Sequence, residues 1–83
     1  MFTPEAQLTH YNASLQLQSG MAAIDAGQTS ISFAQTTSID SSAVACMLAW
    51  QRHASKRGTK LAFEQLPENL TNLITLYGVT TLL

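Results

Sequence analysis

The stretch Thr37-Ser38-Ile39-Asp40-Ser41-Ser42-Ala43 constrains the fold more than any other, because it separates a short β-branched and aromatic run from a long amphipathic segment. The short side-chain oxygens of Asp and Ser accept hydrogen bonds from first-turn amides that have no partner inside a helix. A helix is therefore expected to start at Asp40-Ser41-Ser42. The loop presents two hydroxyls beside the positive end of the helix dipole, where an added phosphate would meet a favourable field. An ordinary N-cap explains a bare Asp-Ser-Ser by itself, so the weight rests on the helix downstream of the cap.

At about 100° per residue, Ser42 to Arg57 separates into two faces. Val44, Met47, Leu48, Trp50 and Ala54 form the broad stripe expected to pack on a sheet. The opposite side carries Ser41, Ala45, Ala49, Arg52 and Lys56, a strip that starts at the cap and ends in two cations. A solvated helix face normally carries long charged side chains. Ala is also the best helix former, so a bare surface would need no other reason. Small residues above two cations nevertheless suit close approach by a partner with acidic groups at its rim.

Upstream, Gln7-Leu8-Thr9-His10 and Ser14-Leu15-Gln16-Leu17 alternate around Tyr11-Asn12-Ala13, which predicts a hairpin with Leu8, Leu15 and Leu17 inward. Ser19 is expected to cap a short helical turn through Met21, Ala22, Ala23 and Ile24, ended by Gly27. Ser30-Ile31-Ser32-Phe33 and Lys60-Leu61-Ala62-Phe63 each alternate as strands with the apolar residues inward. Pro67 suits the first position of a last helix, whose Leu70, Leu73, Ile74 and Tyr77 share one face. Gly78-Val79 reads as its cap, and Thr80 to Leu83 as an edge strand or a tail.

The 83 residues suffice for one domain, 1–83, with no linker or repeat. A chain of this size buries only about 60% of its unfolded surface, so each core layer matters. The net charge of −1 argues against nucleic acid, which requires a basic stripe. The single cysteine, Cys46, precludes an internal disulfide and fits a reducing compartment. No basic-then-apolar leader and no run of ~20 apolar residues is visible, so the expectation is a soluble chain. The sequons at Asn12 and Asn69 then have no glycosylation machinery to meet.

No catalytic constellation emerges. Cys46 and His53 lie seven apart on one helix, about 10 Å, beyond hydrogen-bond reach. Cys46 reads as a small, half-buried hydrophobe and His53 as a surface residue at the basic end. His10 has no Cys, Asp or His at ligand spacing, so no metal site is expected. Gly58-Thr59-Lys60 lacks the first Gly and spacer of a P-loop and stands in helix-to-strand order. Asp25, Asp40, Glu64 and Glu68 show no pairing that would shift their acidity. The residues predict no enzyme and no cofactor.

From Thr29 the order is strand, Asp-Ser-Ser loop, helix ending in Lys56-Arg57-Gly58, strand Lys60 to Phe63, Leu66-Pro67, and a helix closing on Leu76-Tyr77-Gly78-Val79. That order resembles the STAS domain. Within the family, the Trp50-Gln51-Arg52-His53-Ala54 helix, the Leu66-Pro67 step and Leu73-Ile74-Thr75-Leu76-Tyr77-Gly78-Val79 look most like the cytoplasmic STAS subunit of Mla-type phospholipid ABC transporters. The likeness covers about the last two-thirds of the chain well and the N-terminal third loosely. Relatives usually carry Gly at the position of Ala43, and they insert a full helix where this chain has only Gln18 to Thr29 between its expected strands.

The resemblance implies an α/β fold: a STAS-like mixed sheet of about four to five strands, two main helices packed on one side, and a shortened first helix. It implies a non-catalytic cytoplasmic accessory subunit, associated with an inner-membrane complex, that binds and stabilises or activates the ATPase of a phospholipid-transport ABC system. Asp40, Ser41, Ser42, Ala45, Ala49, Arg52 and Lys56 would form the partner surface. The alternative is an anti-sigma-factor antagonist, in which the hydroxyl directly after the Asp, here Ser41, is phosphorylated and releases the partner. A shortened first helix would leave the core under-covered, and homodimerisation in isolation would cover it.

Overall fold

The computed structural model describes residues 1–83. Four short strands and three helices follow in the order β1 (Gln7–Leu8), α1 (Ala13–Asp25), β2 (Ser30–Ser32), β3 (Ser38–Ile39), α2 (Ser41–Lys56), β4 (Ala62–Glu64) and α3 (Glu68–Tyr77). A 3-10 turn over Thr80–Leu82 closes the chain, in place of an edge strand or a tail.

The largest departure from the sequence reading is α1. Ser14 to Leu17 is its first turn and not the second arm of a hairpin, and Ser19 lies inside the helix instead of capping one. Four alternating residues fit either period, but the longer window decides. Leu17, Gly20 and Ile24 recur at helical spacing, and no β-branched residue stands between Ala13 and Ala23 to favour a strand. Leu17 accordingly packs against the core while Leu15 is 68% exposed. The first helix therefore spans thirteen residues, where the sequence reading expects a short turn through Met21 to Ile24. The self-association inferred from a missing helix loses its premise.

Every strand pairing is parallel. β1 pairs with β3, Gln7 opposite Ser38, and β2 pairs with β4, Ile31 opposite Phe63. Instead of one mixed sheet of four to five strands there are two two-stranded sheets. Parallel neighbours need long crossovers, and the helices supply them: α2 returns the chain from β2 to β4. The N-terminal segment links the sheets, because Phe2 also bridges Ile31 while Gln7 pairs Ser38. The partner segment carries the extra residues in a turn at Ala34–Gln35, closed by the Thr36 amide donating to the Phe33 carbonyl at 3.0 Å.

The core gathers around Trp50, which is fully buried with Leu8, Ile31, Phe33, Met47, Leu61 and Leu70. Phe2 meets the Trp50 ring edge-on, with centroids 5.7 Å apart. The indole nitrogen donates to the Leu17 carbonyl at 3.0 Å, joining α2 to α1. Ile31, Phe33 and Leu61 face inward as expected, and Leu48 and Phe63 are half-buried. On α3, Leu70 and Ile74 are buried, whereas Tyr77 is 49% exposed. Pro67 caps α3 one position earlier than expected, and Gly78 ends it at φ 67°, with the Val79 amide reaching back to the Ile74 carbonyl.

Candidate functional site: the amino end of helix α2

Asp40 holds the amino end of α2 with both carboxylate oxygens. Oδ1 accepts from the Ser42 amide at 2.8 Å, the cap expected from the sequence. Oδ2 accepts from the His10 amide at 3.0 Å and meets His10 Nδ1 at 2.9 Å. Hydrogen bonds that favour the charged form, from His10 first and Ser42 after, outweigh a smaller opposing effect of burial and lower the Asp40 pKa to about 2. The expectation that Asp40 has no acidity-shifting pairing is therefore corrected. His10 stands thirty residues away in sequence, beyond the reach of any spacing rule.

Asn12 fixes the loop that delivers His10. Its Oδ1 accepts from the Thr9 amide at 3.1 Å, and its Nδ2 donates to the Gln7 carbonyl at 2.7 Å. Tyr11 comes next to His10, 81% exposed, with its ring 4.1 Å from the His10 ring. Neither His10 nor Tyr11 stands out in the sequence as a site residue. The loop between β1 and α1 and the start of α2 thus form one cross-linked end of the molecule.

Along α2, Ser41, Ala45, Arg52 and Lys56 are exposed, while Ser42 and Ala49 are half-buried. Arg52 and Lys56 enter no ion pair within the chain. Arg57 does: its Nη1 lies 3.3 Å from Asp25 Oδ1, an oxygen that also meets His53 Nε2 at 2.8 Å. Asp25 thus ties the end of α1 to the end of α2. His53 is half-buried there and not a free surface residue.

The buried groups support no nucleophile. Cys46 is 3% exposed, with its Sγ 3.7 Å from the Ala13 carbonyl oxygen. Burial, with a smaller contribution from the Asp40 charge, pushes its thiol pKa up, opposite to what a reactive thiolate requires. Gln51 is buried for a structural reason: its side-chain amide exchanges two 2.9 Å hydrogen bonds with the Leu61 backbone, fixing the entry to β4. Ala43 is fully buried, so its methyl is part of the core at the position where Gly is expected in relatives. No three His, Cys, Asp or Glu side chains converge as metal ligands.

A helix capped by Asp40 at the end of a parallel β-strand, with the exposed Ser41 hydroxyl in its first turn, is the arrangement expected of a STAS domain. Residues 6–83 match the family model described as "Mlab, STAS domain", and the chain belongs to this STAS family. No curated protein and no solved structure matches the chain. STAS domains are generally non-catalytic binding domains, consistent with roles beside transporters or as anti-sigma-factor antagonists. No helix is long and apolar enough to cross a membrane.

Proposed function

We propose that this STAS domain is a cytoplasmic, non-catalytic accessory subunit that docks on the ATPase of a phospholipid-transport ABC system and stabilises or activates it. The observation that carries the reading is the surface of α2: exposed Ala45 and half-buried Ala49 lie between the Asp40 cap and two cations without intramolecular partners. Small side chains let a partner element approach closely, and Arg52 and Lys56 offer charge to acidic groups at the rim. The cap prepares the surface in advance, because a carboxylate already committed to two backbone amides costs little ordering on binding.

The exposed Ser41 hydroxyl at the amino end of α2 favours a second reading, an anti-sigma-factor antagonist switched by phosphorylation. A phosphate there would add charge to the small-residue surface and desolvate poorly in a packed interface. Affinity capture from the native host, with mass spectrometry of the captured proteins and of Ser41, separates the two. Recovery of an ABC ATPase with unmodified Ser41 supports the transporter reading. Recovery of a kinase-type anti-sigma factor with phosphorylated Ser41 overturns it.

A further inference from the structure

Away from the Asp40 end, an open cavity of about 440 Å³ lies between the core-facing side of α2, strand β4, helix α3 and the carboxyl end of the chain. It shares no residue with the strip from Ser41 to Lys56. Met47, Leu61, Phe63 and Ile74 supply apolar walls, and Lys60 and Thr80 stand among its polar lining groups. Its volume falls within the range of about 300–1,000 Å³ typical of small-molecule sites, which combine apolar walls with a few polar groups that fix orientation.

The polar groups choose the ligand. The Thr71 and Thr75 hydroxyls, also lining the cavity, are turned to backbone carbonyls of α3, Thr71 to Pro67 at 3.3 Å and Thr75 to Thr71 at 3.1 Å. Lys60 enters no ion pair within the chain and is the one charged side chain of the lining. An apolar chamber with a single unpaired cation suits an alkyl chain that ends in one negative charge. We propose that this cavity binds a single-chain fatty carboxylate of medium length, the alkyl chain between Met47, Phe63 and Ile74 and the carboxylate at Lys60.

Titration of the 15N-labelled full chain with decanoate, below its micelle concentration, tests this directly, with decanol and decyltrimethylammonium as comparison ligands. Saturable amide shifts centred on Leu61, Phe63 and Ile74 are expected with decanoate, weaker ones with decanol, and none with the cation. Lys60→Glu should weaken decanoate about fivefold and leave decanol unchanged, the size of effect a single exposed charge pair can have. Thr75→Trp, an exposed position whose larger side chain would fill the opening, should abolish binding of both while preserving the fold. Absence of saturable shifts, shifts centred on Ala45 and Ala49, or decanoate affinity indifferent to Lys60→Glu would each overturn the proposal.

Discussion

Gly20 of α1 lies directly beneath the indole of Trp50: a methyl built at Gly20 would stand 2.3 Å from the indole nitrogen. That absence of a side chain lets α1 and α2 approach until the Trp50 N–H reaches the Leu17 carbonyl. Two effects of Gly20→Ala oppose each other. Ala gains about 1 kcal/mol over Gly in a helix interior, while forcing a methyl into a packed core typically costs about 1–3 kcal/mol. Trp50 is fully buried and has no free end to move aside. The steric cost should therefore prevail, lowering the urea midpoint with an unchanged slope, and a raised midpoint would contradict the packing described.

The Asp40 carboxylate makes a second prediction through pH. Its folded-state pKa is depressed from 3.8 to about 2, so its contribution to stability is complete above the unfolded value and is lost as pH falls from about 4 through 2. Asp40→Asn keeps a good capping side chain but cannot titrate. The stability difference between native protein and Asp40→Asn should be constant near neutrality and shrink between about pH 4 and 2. Denaturant curves for both proteins across that interval would show it. A gap that widens on acidification would mean that the His10 and Ser42 contacts do not favour the carboxylate.

Asp40→Ala removes both anchors at once. Loss of an N-cap typically costs about 0.5–2 kcal/mol, and the His10 amide also loses its acceptor. Amide exchange should accelerate in the first turn of α2 and in the Thr9-His10-Tyr11 loop together. Faster exchange in α2 alone would show that the two segments are not coupled through Asp40.

These contacts divide into those that the sequence announces and those it conceals. The Asp40 cap, the buried Trp50 stripe and the Gly78 terminus are legible because each depends on neighbours within about one helical turn, where residue type and spacing act directly. Helix α1 is misread as a hairpin arm because Ser14 to Leu17 satisfies a two-residue period over a window too short to exclude the helical one. The run without β-branching from Ala13 to Ala23 is the available signal. Misreading α1 also produces the expectation of an under-covered core. The His10–Asp40 and Asp25–His53 contacts have no local signal at all, since tertiary packing of α1 beside α2 brings them together.

Ser41 distinguishes the two readings of the α2 surface. Aspartate in the first turn of a helix is favoured by the dipole, so Ser41→Asp should fold as well as the native protein. In the transporter reading Ser41 contributes as an unmodified hydroxyl, so Ser41→Asp should weaken partner binding more than Ser41→Ala. Intact-mass measurement of native-host protein should show no phosphorylated species. A substantial phosphorylated fraction would favour the antagonist reading.

Docking of an ABC ATPase on the exposed face of α2, as proposed, makes binding of the purified ATPase sensitive to arginine at Ala45 and at Ala49. Ala45 is exposed, where substitutions usually change stability by less than about 0.5 kcal/mol, and at half-buried Ala49 the flexible arginine stem can carry its guanidinium out to water. Ala45→Arg and Ala49→Arg should both keep the native circular-dichroism spectrum and a cooperative unfolding transition. Each should reduce ATPase binding at least tenfold, because an arginine holds the partner away from the helix. Native affinity retained by folded Ala45→Arg and Ala49→Arg proteins would contradict the claim.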